Sequence, residues 1–187
     1  MTSEQRALTH PVASTPRKWL IGAAFLVVGV LAAAAGWYYG LGGSAGNRDA
    51  AALFAVTLPD AQGKPESIGQ WKGHVLVVNF WATWCGPCRE EMPEFVRAQQ
   101  ELGAKGLQFV GIAVDSADKV GQFADEIQLN YPALVGGYGA LELSRTMGNS
   151  AMALPFTVII DREGRVAHTQ LGPLRDAKLR SIVSALL

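Results

Sequence analysis

The chain has 187 residues, 16 basic and 16 acidic side chains, and a net charge of zero. This balance leaves no electropositive footprint for nucleic acid and no run of like charge for a polyanionic partner. Protein partners met through shape and apolar contact are the expectation. Residues 1–18 carry Arg6, Arg17 and Lys18 against one acid, Glu4, and read as a cytoplasmic tail. Trp19 to Tyr39 then runs without a charge, with Trp19 at one end and Trp37, Tyr38 and Tyr39 at the other. As a helix it spans about 31 Å, which matches a hydrocarbon core of ~30 Å. The flanking charges predict a single-pass anchor with its N-terminus in the cytoplasm and the remainder across the inner membrane, in the periplasm or its equivalent. A cleaved signal peptide is the competing reading, because Leu31 to Gly36 offers small residues for cleavage. Residues 40–51 begin with a glycine-rich stretch, Gly40 to Asn47, and read as a flexible linker.

Residues 52–187 predict one domain with a substantial core. Ala52 to Leu58 is strand-like, and Asp60 to Pro65 supplies turn chemistry. Val75 to Phe80 is apolar apart from Asn79 and lacks alternation, as expected for a strand covered on both faces. A helix is expected from Arg89 to about Gly103, a strand over 107–114, and a second helix from Ala117 to about Leu129. A short strand over 131–135 and a short helix over 140–147 follow. A strand opening on Pro155 turns at Asp161 to Gly164 into another over 165–170, and 173–187 closes as a helix. Strands that alternate with helices and then form a hairpin predict an α/β fold, helices flanking a central mixed sheet.

Only two cysteines are present, and both lie in Trp84-Cys85-Gly86-Pro87-Cys88, at the junction between a buried strand and a helix. There a thiolate gains unpaired backbone N–H groups and the positive end of the helix dipole. Cys85, at the helix start, is expected to be the nucleophile and Cys88, one turn on, the resolving thiol. Gly86 leaves the sulfur approachable and Pro87 sits where a helix tolerates proline. A structural disulfide is the blander alternative, although closing so small a loop stabilises little. Zinc is disfavoured because His10, His74 and His168 form no ligand-spaced pair with the cysteines. Arg89 in place of histidine excludes a haem-attachment motif. No metal and no cofactor beyond the redox-active Cys85–Cys88 pair is expected.

Phe80 to Cys88 resembles the active-site segment of the thioredoxin superfamily. Asn79 to Trp84 taken with Glu90-Glu91-Met92-Pro93 resembles its exported branch, the TlpA/ResA-like membrane-anchored thiol-disulfide oxidoreductases, over roughly residues 53–187. That resemblance implies a thioredoxin-like fold and carries roles to several positions. Leu154-Pro155 corresponds to the cis-proline loop that offers backbone to a substrate strand. Glu91 corresponds to an acid that tunes thiol pKa values and assists proton transfer, whereas Glu90 and Glu94 read as solvated carboxylates. Pro93 is expected to kink the helix. Cytoplasmic thioredoxins carry a buried aspartate where this chain has Asn79, which shifts any acid–base role to Glu91. Trp84 is expected to shield the dithiol and meet substrates, and Trp81 to pack in the core.

Gly-Pro between the cysteines is the dipeptide of reducing thioredoxins. The resemblance therefore implies reduction of disulfides in exported proteins, for example during cytochrome c or oxidase maturation. A membrane thiol carrier of the DsbD/CcdA type would be the electron donor, because an oxidising compartment returns the pair to disulfide. A disulfide oxidase or isomerase is one alternative. A copper-carrying assembly factor using Cys85, Cys88 and Met92 is the other.

Overall fold

The non-alternating run Val75–Trp81 is the strand around which the rest assembles, and all seven of its residues are buried. The protein is described by a computed structural model covering Gly29 and residues 50–187. The expected tail, the expected anchor apart from Gly29, and nearly all of the linker lie outside the described residues. Among the described residues, no helix is long and apolar enough to cross a membrane.

The elements, in chain order, are α1 (Ala51–Phe54), β1 (Thr57–Pro59), β2 (Pro65–Ser67), β3 (Val75–Trp81), α2 (Gly86–Leu102), β4 (Leu107–Ala113), α3 (Ala117–Glu126), β5 (Ala133–Val135), α4 (Gly139–Thr146), β6 (Phe156–Ile160), β7 (Val166–Leu171) and α5 (Asp176–Ser184). Five strands form one mixed sheet in the order β5-β4-β3-β6-β7, and β1 and β2 form a separate antiparallel pair. β3 runs parallel to β4, and β4 to β5, whereas β6 is antiparallel to both β3 and β7. The C-terminal ends of β3, β4 and β5 therefore share an edge with the N-terminal end of β6 and the C-terminal end of β7. Every loop that carries the site leaves from that edge.

One face of the sheet shows Val77, Asn79 and Trp81 of β3 beside Phe109 and Gly111 of β4. On it, α2 lays Phe95 against Phe109 with ring centroids 5.1 Å apart, and α3 sets Phe123 against Trp81 at 5.4 Å. Gly111 is required there, because a Cβ would stand 2.8 Å from the Trp81 indole nitrogen. Ile112 points the other way, where α4 brings Ala140 up to Gly136. Phe80, Trp81, Phe95, Phe109 and Met92 are fully buried, each contributing roughly 1.5–3 kcal/mol by leaving water.

Two local expectations change, and one turn is extended. Ala52 to Leu58 is not one strand: Ala51–Phe54 makes a single helical turn, and extended structure begins only at Thr57. Three consecutive alanines favour helix, and one turn suffices to bury Leu53 completely. The turn at 60–65 leads into β2 and a 3₁₀ turn, Ile68–Trp71, whose start is capped by the Ser67 hydroxyl accepting from Gly69 N–H at 3.2 Å. Finally, α2 begins at Gly86 rather than Arg89, so the dithiol spans its N-cap and first turn; Pro93 lies inside this helix.

Candidate active site

β3 delivers the chain to the shared edge, and Cys85 becomes the N-cap of α2 with extended backbone angles, φ −87° and ψ 104°. Its Sγ accepts a hydrogen bond from the Cys88 N–H at 3.3 Å. This places the sulfur at one of the orphan donors of a helix start, where negative charge is stabilised by the N–H and by the dipole. Cys85 and Cys88 form a disulfide with Cα atoms 5.3 Å apart, the oxidised state of the pair. Cys85 keeps 6% of its surface exposed and Cys88 none, so an incoming sulfur meets Cys85 first.

The approach to Cys85 is held from two sides. The Thr83 hydroxyl donates to the Asp115 carboxylate, and the Arg89 guanidinium donates to the Thr83 carbonyl at 3.5 Å. Arg89 also lies over the Phe123 ring, 4.5 Å from its centroid, and pairs with Glu126 at 3.1 Å. Asp115 is held below the usual carboxylate range: although burial opposes it, the Thr83 hydroxyl, the Ser116 N–H and Lys119 together favour its charge. Trp84 projects outward with 67% of its surface exposed, and Tyr138 beyond β5 is 89% exposed. Both line a groove of about 420 Å³ with Val114, Asp115, Lys119 and Gly137. A larger hollow of about 590 Å³, lined by Asp60, Lys64, Glu66, Asp125 and Asn130, contains neither cysteine and is not the site.

One turn along α2 from Cys88, Glu91 is fully buried. One oxygen accepts from the Asn79 amide at 2.9 Å, and the other from the Leu174 backbone N–H at 2.7 Å. The Asn79 amide also donates to the Thr157 hydroxyl at 3.0 Å, across the β3–β6 register that pairs these residues. Burial pushes the Glu91 carboxyl up to about 7, against the lowering influence of the Leu174 N–H, the Asn79 amide and Arg175. Such a carboxyl both takes and gives a proton near neutral pH. Tyr131 is buried nearby, and burial together with the Glu91 charge holds its hydroxyl neutral.

The loop before β6 completes the rim. The Leu154–Pro155 bond is cis, as the resemblance implied, and the Pro155 carbonyl accepts from Gly172 N–H at 2.9 Å. Gly86 has open space around it, in keeping with an approachable sulfur. Trp81 is fully buried, as expected. Glu94 departs from expectation: it is half-buried and accepts from the Asp176 N–H at 2.8 Å, capping the start of α5, while Glu90 pairs with Arg175 at 3.3 Å. His168 is half-buried on β7, and His74 is exposed in the bend before β3. Met92, raised as a third copper ligand, is fully buried in the core. Among the described residues, no three His, Cys, Asp or Glu side chains gather as a metal site.

Sequence reasoning passed over Asn149. It is buried, and its amide donates to the Ser144 hydroxyl at 3.0 Å and the Ala153 carbonyl at 2.9 Å, while its oxygen accepts from Ala153 N–H at 3.2 Å. The only sequence signal was its place six residues before Pro155, in a stretch without a recognised pattern.

A cysteine at the surface capping a helix, a covered partner one turn on, a buried carboxyl a further turn along and a cis-proline loop at the same sheet edge define a thioredoxin-like thiol-disulfide oxidoreductase. The chain belongs to the Redoxin family, whose pattern matches residues 47–186. It is 34% identical over 122 residues to the thioredoxin-like protein YneN of Bacillus subtilis, covering 63% of this chain and 68% of that one. It is 32% identical over 114 residues to the thiol-disulfide oxidoreductase ResA of Bacillus thuringiensis subsp. konkukian, covering 60% of this chain and 62% of the relative. A thiol:disulfide interchange protein of the thioredoxin family from Chlorobium tepidum superposes with a TM-score of 0.64 at 30% identity, over 70% of this chain and 92% of that one. These likenesses agree with the TlpA/ResA-like resemblance carried by Phe80 to Pro93.

Proposed function

We propose that the protein is a membrane-anchored, extracytoplasmic reductase of disulfides in exported proteins, working through Cys85 and Cys88 without another cofactor. The observation that carries the reading is the asymmetric exposure of the dithiol, with a buried carboxyl, pushed up to about 7 by its burial, one helical turn beyond Cys88. In the reduced protein, the Cys85 thiolate attacks a substrate disulfide. One substrate sulfur becomes bonded to Cys85, and the other leaves as a thiolate and takes a proton. Glu91 accepts the Cys88 proton, and the Cys88 thiolate then attacks the Cys85 sulfur. The second substrate thiol is released and Cys85–Cys88 closes, so two electrons have passed to the substrate. Trp84, Gly86, Pro87 and Leu154 supply the contact surface, and the cis Pro155 presents the loop.

The placement rests on the uncharged run from Trp19 to Tyr39 and the positive charges before it. A site in an oxidising compartment needs electrons from the cytoplasm, and a DsbD/CcdA-type membrane carrier is the proposed donor. Cytochrome c or oxidase maturation is the proposed setting. Tethering at the membrane raises the effective concentration of the dithiol near that donor.

Equilibration of the full chain with glutathione tests the direction. A potential below about −200 mV is expected of a reductant, and one near the −120 mV of a strong oxidant such as DsbA removes the reading. In cells, Cys88→Ser is expected to hold exported substrates as mixed disulfides, and their identification names the substrate class.

A further inference from the structure

Asn149 lies outside the dithiol and beyond any contact with Cys85 or Cys88, yet it is one of the few polar side chains that are almost wholly buried, at 1% exposure. Its carboxamide has two N–H donors and an oxygen. One donor goes to the Ser144 hydroxyl on α4, which itself donates to the Leu141 carbonyl at 2.7 Å. The second donor and the oxygen both engage Ala153, one through its carbonyl and the other through its N–H. The side chain thus imitates a neighbouring strand, pairing with both peptide groups of a single residue. Its own backbone is tied as well: Asn149 N–H donates to the Ser144 carbonyl at 3.0 Å, and its carbonyl accepts from Met152 N–H at 3.0 Å.

This clamp closes on the loop that enters β6, at the sheet edge where β3 ends and the dithiol begins. Ala153 lies two residues before the cis Pro155, and Met152 between them and Asn149 is held at φ +49°, a conformation that non-glycine residues seldom adopt. With the Ala153 groups consumed, Leu154 is left with no backbone hydrogen-bond partner among the described residues. Its N–H and C=O are the groups free to pair with an extended chain. Aspartate lacks both donors, serine reaches only one partner, and glutamine is one carbon too long for the same ring of bonds.

We propose that Asn149 is a positioning residue for protein substrates: it fixes the Ala153–Pro155 loop to α4 so that Leu154 presents its backbone beside Cys85. The inference rests on the thiol-disulfide exchange already assigned to the site and adds to it a means of favouring polypeptide over small disulfides. The dithiol chemistry does not pass through Asn149. A substrate without a peptide backbone therefore gains nothing from the clamp, whereas a polypeptide depends on it.

The test uses the full chain, returned to the dithiol after each turnover by excess dithiothreitol with the uncatalysed rate subtracted, and two substrates, insulin as a protein disulfide and hydroxyethyl disulfide as one with no backbone. Asn149→Ala is expected to raise KM for insulin about tenfold with kcat changed less than twofold, because lost positioning weakens capture rather than exchange. Its rate with hydroxyethyl disulfide and its equilibrium with glutathione are expected to stay within about twofold of the unsubstituted chain, since the sulfurs keep their surroundings. Equal loss on both substrates, loss confined to kcat, or no loss on insulin overturns the proposal. If Asn149→Ala does not melt cooperatively, the same measurements on Asn149→Asp decide, because aspartate keeps the size and the acceptor while losing both donors. Inertness of the unsubstituted chain toward both disulfides is a separate outcome: it removes the exchange reading on which the proposal stands.

Discussion

The two cysteines stand one helical turn apart and meet opposite surroundings. Cys85 opens onto a rim of exposed apolar surface that includes Trp84, whereas Cys88 is sealed in the core that also holds Glu91. The outer side has a helix-start N–H and freedom of approach; the inner side has a carboxyl whose burial moves it up to about 7. Identical thiols thereby acquire different tasks from placement alone. The outer one suits attack, which needs a stabilised thiolate and access. The inner one suits resolution, which needs a proton acceptor where water does not enter.

The largest effect that tests this division comes from the cysteines themselves. Cys85→Ser is expected to abolish turnover and to capture no substrate, whereas Cys88→Ser also stops turnover but accumulates mixed disulfides visible on non-reducing gels. Equal capture by the two variants reverses the assignment of roles.

Glu91→Gln, which keeps the shape and removes the titration, is expected to slow resolution roughly 10²-fold at neutral pH. It should also erase the inflection near pH 7 from the pH–rate profile, and an inflection that survives assigns it to another group. Stability carries the same signature. The folded-state pKa of Glu91 is raised from 4.5 to about 7, so the native state binds the proton more tightly than the unfolded chain. Its contribution is present below about pH 4.5 and is lost as pH rises through about 7, amounting to on the order of 3 kcal/mol. Denaturant unfolding at several pH values should show that decline in the unsubstituted chain and a flatter curve in Glu91→Gln.

A smaller effect is expected on the outer side. Trp84→Ala should raise KM for a protein disulfide by about fivefold, since an aromatic at the rim supplies contact rather than chemistry. A fall in kcat with KM unchanged moves Trp84 from contact surface to chemistry. Asp115→Asn is expected to cost least, about 1 kcal/mol of stability measured by thermal melting, through the weakened hold on Thr83.

The parts that could be read from the chain were those encoded over short distances. The dithiol spacing, the unbroken apolar run of β3 and Pro155 after Leu154 each declare themselves within a few residues. Glu91 is singled out by resemblance alone, and its burial, decided by Asn79 and the distant Leu174, is not legible in the residues around it. Glu94 shows where local reading ends: its partner is Asp176, 82 residues away, and nothing around Glu94 distinguishes it from a solvated carboxylate. Thr83 and Asp115 are likewise brought together only by the parallel pairing of β3 with β4. The turn at Ala51–Phe54 was misread because Leu53, Phe54, Val56 and Leu58 suit a strand as well as a helix, and burial of Leu53 decided between them.

The hydrogen bond from Leu174 N–H to Glu91 gives the molecule a built-in indicator. A backbone amide bonded to a carboxyl oxygen feels every change of charge on that carboxyl, and here the amide belongs to the residue just ahead of the last helix. Its NMR shift should therefore titrate with the midpoint of Glu91, near 7, and move when the dithiol above is reduced. A single resonance far along the sequence from the cysteines would then read out, without any added probe, whether the proton needed for resolution is in place.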